Sequence, residues 1–579
     1  MTSTSPPSWP HCGADAGPAD PVGCRGARVA GRPACLAHLA PADRAAWLTA
    51  LGPGADVELR GTTFTTDLLR RLLDAVRDPA TGRPAFGEAL FTGATFLGEV
   101  RLAGVSFAGS ARFGGATFLG DAWFVSATFA GTARFGSADF AGAARFDRAV
   151  FSGDARFPGA RFQGRACFAG AAFSGTARFG GTEFAGAAEF DGAVFDGTAR
   201  FTRARFEGAD QLGPLVCGGR MDLSSAVFAE PVTIEAAASE VVCRATRWQS
   251  TAILRLRYAA VDLADTRLAQ PVSVVGRFAP LLSEPGQGAQ AEQALGDDPG
   301  VRVLSIRGVD ASMLTLANLD LERCVFSGAL HLDQLRLEGR WTLGTAPSGW
   351  HMRGPLPLRW TRRQVIEEER QWRALRGRPA PARRGWGDAP PDPDTVPGLA
   401  SLTTVYRQLR KAREDSKDEP GAADFYYGEM EMRRHSRGSG TAERRLLQAY
   451  WLLSGYGLRA TRALAWLLAA MTVSVLALTL WGLPTSEPKP RTTGTMPVAG
   501  REISLETEAP PPTLSGPVAD RITGARMEKA LRIVINSVVF RASGRPLTTV
   551  GSYVEMTSRI VEPGLLALAL LAVRGRIRR

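Results

Sequence analysis

Residues 111–135 read ARFGGATFLGDAWFVSATFAGTARF. Phenylalanine stands at 113, 118, 124, 129 and 135, in steps of five, six, five and six. The same beat runs from Phe91 to Phe206, with Leu102 in the one missing place, so the unit is eleven residues in two half-units, repeated about ten times. A fixed short period marks a solenoid. Two residues before each Phe sits a small residue, as with Ala111, Ala116 and Ala133. In an extended segment positions i and i−2 share a face, so Ala and Phe both point inward. Two residues after the Phe there is usually Gly, as at Gly93, Gly98, Gly109, Gly120, Gly131 and Gly142, which supplies backbone freedom for a corner. A helix is disfavoured, because steps of five and six do not keep to one side of a 3.6-residue turn and Gly recurs in every half-unit.

Segments such as Ala-Thr-Phe-Leu-Gly (116–120) and Ala-Asp-Phe-Ala-Gly (138–142) resemble the pentapeptide-repeat family, whose unit has a small residue at i−2 and Leu or Phe at its centre. The resemblance implies a mainly β fold, a right-handed, four-sided parallel β-helix with four units per coil. Here every second unit carries one extra residue, so a coil should take 22 residues rather than 20, with the bore filled by rings. Leu212, Cys217, Leu223, Phe228 and Ile234 continue the beat, and Leu316, Leu321, Phe326, Leu332 and Leu337 recover it. The expected solenoid spans 87–340, interrupted by a protruding loop at about 275–300, where Ser283–Gly300 is rich in Gly, Gln, Pro and Ala.

The residues just before the six-step Phe or Leu form an outward column: Arg101, Arg112, Trp123, Arg134, Arg145, Arg156, Cys167, Arg178, Glu189 and Arg200. At 22 residues per coil, Arg112, Arg134, Arg156, Arg178 and Arg200 stack on one face about 4.8 Å apart. One reading is a solvated face balanced by neighbours such as Asp139 and Glu183. The other is a docking strip for an acidic protein or for anionic lipid headgroups on the cytosolic side.

The chain has 579 residues, room for several domains, and 69 basic against 57 acidic residues give a net charge of +12. That balance favours an anionic neighbour and says nothing of fold. Met1–Pro10 has neither a basic nor an apolar signal region, so the soluble part is expected in the cytosol. Seven scattered cysteines fit a reducing compartment. Residues 1–86 read as a cap on the solenoid's open end, with short helices at 42–51 and 66–77. Within it Cys12, Cys24, Cys35 and His38 offer three thiolates and one imidazole, a set suited to structural zinc. The loose Cys12–Cys24 spacing leaves free thiols as the other reading.

Beyond the solenoid, 341–400 reads as a charged helix over 361–376 and a Pro/Arg-rich linker, and 401–462 as a juxtamembrane helical hairpin turning at Asp418–Gly421. The stretch from Asp424 to Arg434 resembles the juxtamembrane segment of bacterial pentapeptide-repeat proteins that carry a membrane tail. Its paired Glu429 and Glu431 read as a solvated helix face. Residues 463–483 carry no charge and suffice to span a bilayer. After an extracytoplasmic loop at 484–526, residues 527–579 hold a re-entrant or amphipathic helix and a second span. That span must recruit Tyr553–Arg559, with Arg559 reaching the interface, Glu555 near the headgroups and Glu562 a cost. Arginines before the first span (433, 434, 437, 444, 445, 459, 462) and after the second (574, 576, 578, 579) place both termini and the solenoid in the cytoplasm.

The tail's layout is that of a simple cation-channel subunit, and it offers a route to a homo-oligomer. Thr549-Val550-Gly551-Ser552-Tyr553 imitates a potassium filter but is interrupted by Ser552 and lacks the second Gly, Gly455-Tyr456-Gly457 precedes the first span, and Arg541 and Arg545 would crowd a cation pore. No phosphate loop, zinc-protease pair or nucleophile elbow occurs, so no enzyme is expected. The leading expectation is a membrane-anchored binding scaffold, then a pore with a degenerate filter. A DNA-mimicking topoisomerase partner comes last, since it needs a negative surface, and no nucleic-acid partner is expected.

Overall fold

The computed structural model describes residues 6–18, 20–281, 287–353, 356–360, 362–376, 385–387, 389–436, 440–485, 491–494, 505–508, 511–539 and 544–577. The chain forms two compact units, Met1–Asp415 and Ser416–Arg579.

The first unit is a parallel β-solenoid of about eleven turns. Each coil has four sides, each a two-residue strand such as Ala111–Arg112, Thr117–Phe118, Ala122–Trp123 and Thr128–Phe129. Residues 22 apart pair in parallel: Thr117 with Asp139, Ala122 with Ala144, Thr128 with Val150. The alternation of Ala and Phe is what the inside selects, and both are fully buried throughout. Four columns of rings run along the bore. Phe113 and Phe135 stack at 5.0 Å and 3°, Phe129 and Phe151 at 4.7 Å and 2°, while rings of columns on opposite sides meet edge to face, as with Phe124 and Phe135 at 5.5 Å and 86°. These are the two geometries an aromatic quadrupole favours. Leu102 takes its expected place and is buried.

The two half-units make different corners. The corner after the six-step Phe puts a residue in the left-handed region, as at Gly115 (φ +62°). The corner after the five-step Phe needs glycine for space: a Cβ on Gly131 would lie 2.5 Å from the carbonyl oxygen of Gly109 in the coil before. Conformational freedom, expected at both, is therefore required at only one.

Coil length also changes along the axis. It is 22 residues from the pairing of Ala89 with Ala111 to that of Arg205 with Val227, then 20 where Val227 pairs with Arg247 and Arg247 with Arg267. Register shifts in the strand Gln211–Asp222 absorb the difference, and this strand rounds a corner to join two sides into one sheet.

At the N-terminal end, α1 (Pro41–Thr49) and α2 (Thr66–Ala75) lie near their expected positions, with Thr65 capping α2 by accepting from Leu68 N at 3.2 Å. Strand pairing reaches back to Ala55 and to Thr63, which pairs with Thr95, so the first coil lies inside the segment expected as cap. The expected loop carries α3 (Gln287–Gln293), tied down by the ion pair of buried Arg257 and Glu292; residues 282–286 lie outside the described residues. Beyond the last coil strand, Arg336–Thr342, the chain forms antiparallel pairs at 344–345 with 364–365 and at 349–353 with 356–360. α4 is Glu367–Arg376, shorter than the helix expected over 361–376 because Gln364–Val365 is drawn into a strand. α4 closes the solenoid's far end: Glu368 accepts from Phe326 N and Ser327 N, both at 2.7 Å. α5 (Leu399–Asp415) completes the unit.

The second unit begins with α6 (Glu419–His435), followed by α7 (Thr441–Ser454) and α8 (Ala460–Ala477), the last extended by a wide turn to Gly482. The break between α5 and α6 falls at Ser416–Asp418, earlier than expected, because Asp418 caps α6 through Gly421 N (3.2 Å) and Pro420 fits a first helical turn. α9 (Gly524–Val538) and α10 (Thr549–Ile577) follow. Arg526 donates to the carbonyls of Thr479 (3.0 Å), Leu483 (2.7 Å) and Pro484 (2.9 Å), satisfying acceptors at the end of α8. Ala460–Gly482 and Thr549–Arg574 are each long and apolar enough to cross a membrane. Arg437, Arg541, Arg578 and Arg579 lie outside the described residues.

Candidate functional site

On one side of the coil the arginine column forms as expected. Arg134 pairs in register with Arg112 and Arg156, Arg156 with Arg178, and Arg178 with Arg200; Leu90 and Asp222 bound the column. Each arginine carbonyl accepts from a core Phe amide, as Phe113 N to Arg134 O at 2.7 Å, so the side chains leave a fixed ladder. Arg112 pairs with Glu88 (3.0 Å) and Arg156 with Asp154 (2.7 Å), and Arg156 holds the Asp154 carboxyl below the usual range. Arg134, Arg178 and Arg200 are exposed, and no carboxylate of the described residues lies within 4.0 Å of them.

Asp139 and Glu183, expected to balance the column, stand on another side, where Glu183 pairs with Arg161 (3.0 Å) and Asp139 accepts from Gln163 (2.8 Å). Sequence distance misleads here, since nearness is set by side and coil. Asp154 is a local neighbour two residues before Arg156, whereas Glu88, 24 residues before Arg112, is brought near it only by the coil. The remaining members of the column, Arg101, Trp123, Arg145, Cys167 and Glu189, form a second ladder two sides on. Its charges are paired locally: Arg101 pairs with Glu99 (2.9 Å), Arg145 lies over the Trp123 ring at 4.7 Å and pairs with Asp147 (3.1 Å), and Glu189 pairs with Arg165.

The cap brings Cys12, Cys24, Cys35 and His38 together, their ligand atoms all within 4.8 Å of one another. Cys12 Sγ lies 3.7 Å from His38 Nδ1, Cys24 Sγ 3.7 Å from Cys35 Sγ, and Cys35 Sγ 3.4 Å from His38 Nδ1. Two backbone segments pair to place the first two thiols, through Cys12 N to Gly26 O (2.8 Å) and Cys24 N to Ala14 O (2.7 Å), while a turn at Cys35 supplies the others. The hydrogen bond from the Cys35 thiol pulls Cys24 down to about 5, and the same contact pushes Cys35 up. Asp15 Oδ2 stands 3.6 Å from His38 Nε2, a partner that spacing did not reveal. The other cysteines are buried, and burial pushes the Cys167 and Cys243 thiols up to about 12.

In the second unit Glu429 and Glu431 are buried, contrary to the solvated face expected. Glu431 pairs with Arg434 (3.0 Å) and accepts from the Tyr456 hydroxyl (3.0 Å), and Arg434 lies over the Trp451 ring at 4.5 Å. The filter-like Thr549–Tyr553 is the helical start of α10, capped by Thr548 Oγ1 accepting from Gly551 N (3.1 Å). Its carbonyls belong to a helix, which offers no ring of ion ligands. Gly551 serves the helix crossing, since a Cβ there would lie 2.4 Å from Gly482 O. Glu555 pairs with Arg559 (2.7 Å), and Glu562 is buried in the wall of an apolar groove of about 880 Å³ between α8 and α10.

A family model described as pentapeptide repeats (9 copies) matches residues 91–139, 124–171, 135–183 and 168–210. This stretch is a pentapeptide-repeat array. Comparison with curated proteins and with solved structures finds no match. The pentapeptide repeats coincide with the regular 22-residue coils, and thus with the whole arginine column from Arg112 to Arg200.

Proposed function

We propose that this protein is a non-enzymatic scaffold, anchored by two membrane spans, whose pentapeptide-repeat solenoid presents its arginine column to an acidic segment of a partner protein on the cytosolic side. The observation that carries the reading is the in-register ladder with Arg134, Arg178 and Arg200 open to solvent. Like charges about 4.8 Å apart repel one another, and an anion laid along them relieves that repulsion. A narrow line of charge on a rigid rod fits an extended acidic chain better than a plane of lipid headgroups. The bore is filled by stacked rings, which leaves the outer faces for binding.

Anchoring rests on apolar side chains turned outward along both long helices, Leu468 65% and Ile560 76% exposed, where a soluble core helix would bury them. Arg444, Arg445, Arg459 and Arg462 before the first span and Arg574 after the second favour cytoplasmic ends. The test uses the full chain in nanodiscs, an oligo-glutamate peptide and, separately, anionic vesicles. The peptide should bind with an affinity that falls steeply with salt, and changing Arg134, Arg178 and Arg200 to Glu should weaken it at least about tenfold. Equal binding by the variant, or vesicle binding without peptide binding, contradicts the reading.

A further inference from the structure

We infer that the N-terminal cap is a zinc-dependent closure, with one Zn²⁺ held by Cys12, Cys24, Cys35 and His38. A tetrahedral ion with bonds of about 2.3 Å to sulfur and about 2.0–2.1 Å to nitrogen keeps its ligand atoms roughly 3.5–3.8 Å apart. Three of the ligand contacts, at 3.7, 3.7 and 3.4 Å, already lie close to that spacing. Three soft sulfurs and one imidazole are the donor set of structural zinc, with no open position for substrate.

The surroundings are built for the same geometry. His38 turns Nδ1 to the thiols and Nε2 toward Asp15, the arrangement in which a carboxylate fixes the ring tautomer of a metal-bound histidine. Gly26 N points at Cys24 Sγ at 3.4 Å, an amide suited to a thiolate. A Cβ on Gly26 would lie 2.8 Å from Cys35 Sγ and 3.3 Å from Cys24 Sγ, so glycine leaves the room that the sulfurs occupy. A Cys24–Cys35 disulfide is the competing chemistry, but it would leave Cys12 and His38 converging on nothing.

The consequence lies at the edge of the first coil. The metal would join the segment 10–28 to the Cys35–Leu39 turn, and that segment is bound to the solenoid through Ala27 N to Arg60 O at 2.6 Å. Arg60 and Gly61 in turn border the coil, where Gly61 N donates to Thr92 O at 2.9 Å. Chelation would release this cover and expose parallel strand edges to other chains.

The test is metal analysis of the full chain purified in detergent under reducing conditions, with Co²⁺ exchanged for the native metal. One zinc per chain, thiolate-to-cobalt charge-transfer and tetrahedral ligand-field bands are expected. The Cys12→Ser, Cys24→Ser and His38→Ala variants should lose the metal, while Cys217→Ser, remote from the site, should keep it. Chelation should convert the monodisperse protein to larger species. Three results overturn the inference: a metal-free chain that refuses Co²⁺, metal retained in the Cys12→Ser/Cys24→Ser double variant, or a Cys24–Cys35 disulfide in the reduced preparation.

Discussion

Phe135 illustrates how one side chain is fixed by six other rings. Its ring stacks on Phe113 and Phe157 and meets Phe124 and Phe146 edge to face, with no exposure. Phe135→Ala should cost about 3–5 kcal/mol, read as a lower denaturation midpoint, because neighbouring coils cannot collapse into the vacancy without breaking their own stacks. Its role is legible in the sequence since period, ring and small partner are all local. Glu369 is the opposite case. Burial alone would push its carboxyl up, but the Arg363 and Arg373 guanidiniums and the Tyr406 hydroxyl bring it below the usual range. Tyr406 lies 37 residues away, so nothing in the neighbourhood of Glu369 announces the pair. A depressed native value means that the stabilisation is whole above the unfolded value near 4.5 and is lost as pH falls through the native one. Glu369→Gln should cost about 3–5 kcal/mol at neutral pH by leaving Arg363 buried without this anion. It should also flatten the decline in stability below about pH 4.5, measured by denaturation across pH. Neighbouring Glu368, pushed up by burial, contributes in the other direction, favouring the fold as pH falls.

At the scale of elements, the two ends of the solenoid are closed by different chemistry. The N-terminal end uses the backbone contact beside the cysteine cluster, and the far end uses a carboxylate on α4 that accepts two amides of the last coils. Both manage the exposed edges that a stack of coils leaves. The helices, the two long apolar ones among them, were readable from apolar runs and caps, whereas boundaries moved wherever a strand or a cap competed, as at Gln364–Val365 and Asp418. The buried Glu431 was misread because its partner Tyr456 arrives from the turn after α7. The change of coil from 22 to 20 residues was hidden for a related reason: past Phe228 the regular Phe beat is replaced by mixed aliphatic residues, and the extra residues vanish into register shifts. The three thiols and His38, singled out in the sequence, come together in space, while the nearby Asp15 and the room left by Gly26 needed coordinates.

For the whole molecule, the claim that governs the rest is that positions 22 apart in the chain are neighbours along one rod, which turns scattered arginines into a continuous charged line. The proposed docking of an acidic segment, its expected dependence on salt and the loss expected on reversing Arg134, Arg178 and Arg200 all require that alignment. The most direct measurement is a pulsed spin–spin distance in the full chain, with labels at positions 112 and 200 introduced through non-natural residues so that native thiols stay silent. Four coils at about 4.8 Å each predict a narrow distribution centred near about 19 Å. A broad distribution, or one centred beyond about twice that value, would contradict the stacked-coil account and the binding face proposed upon it.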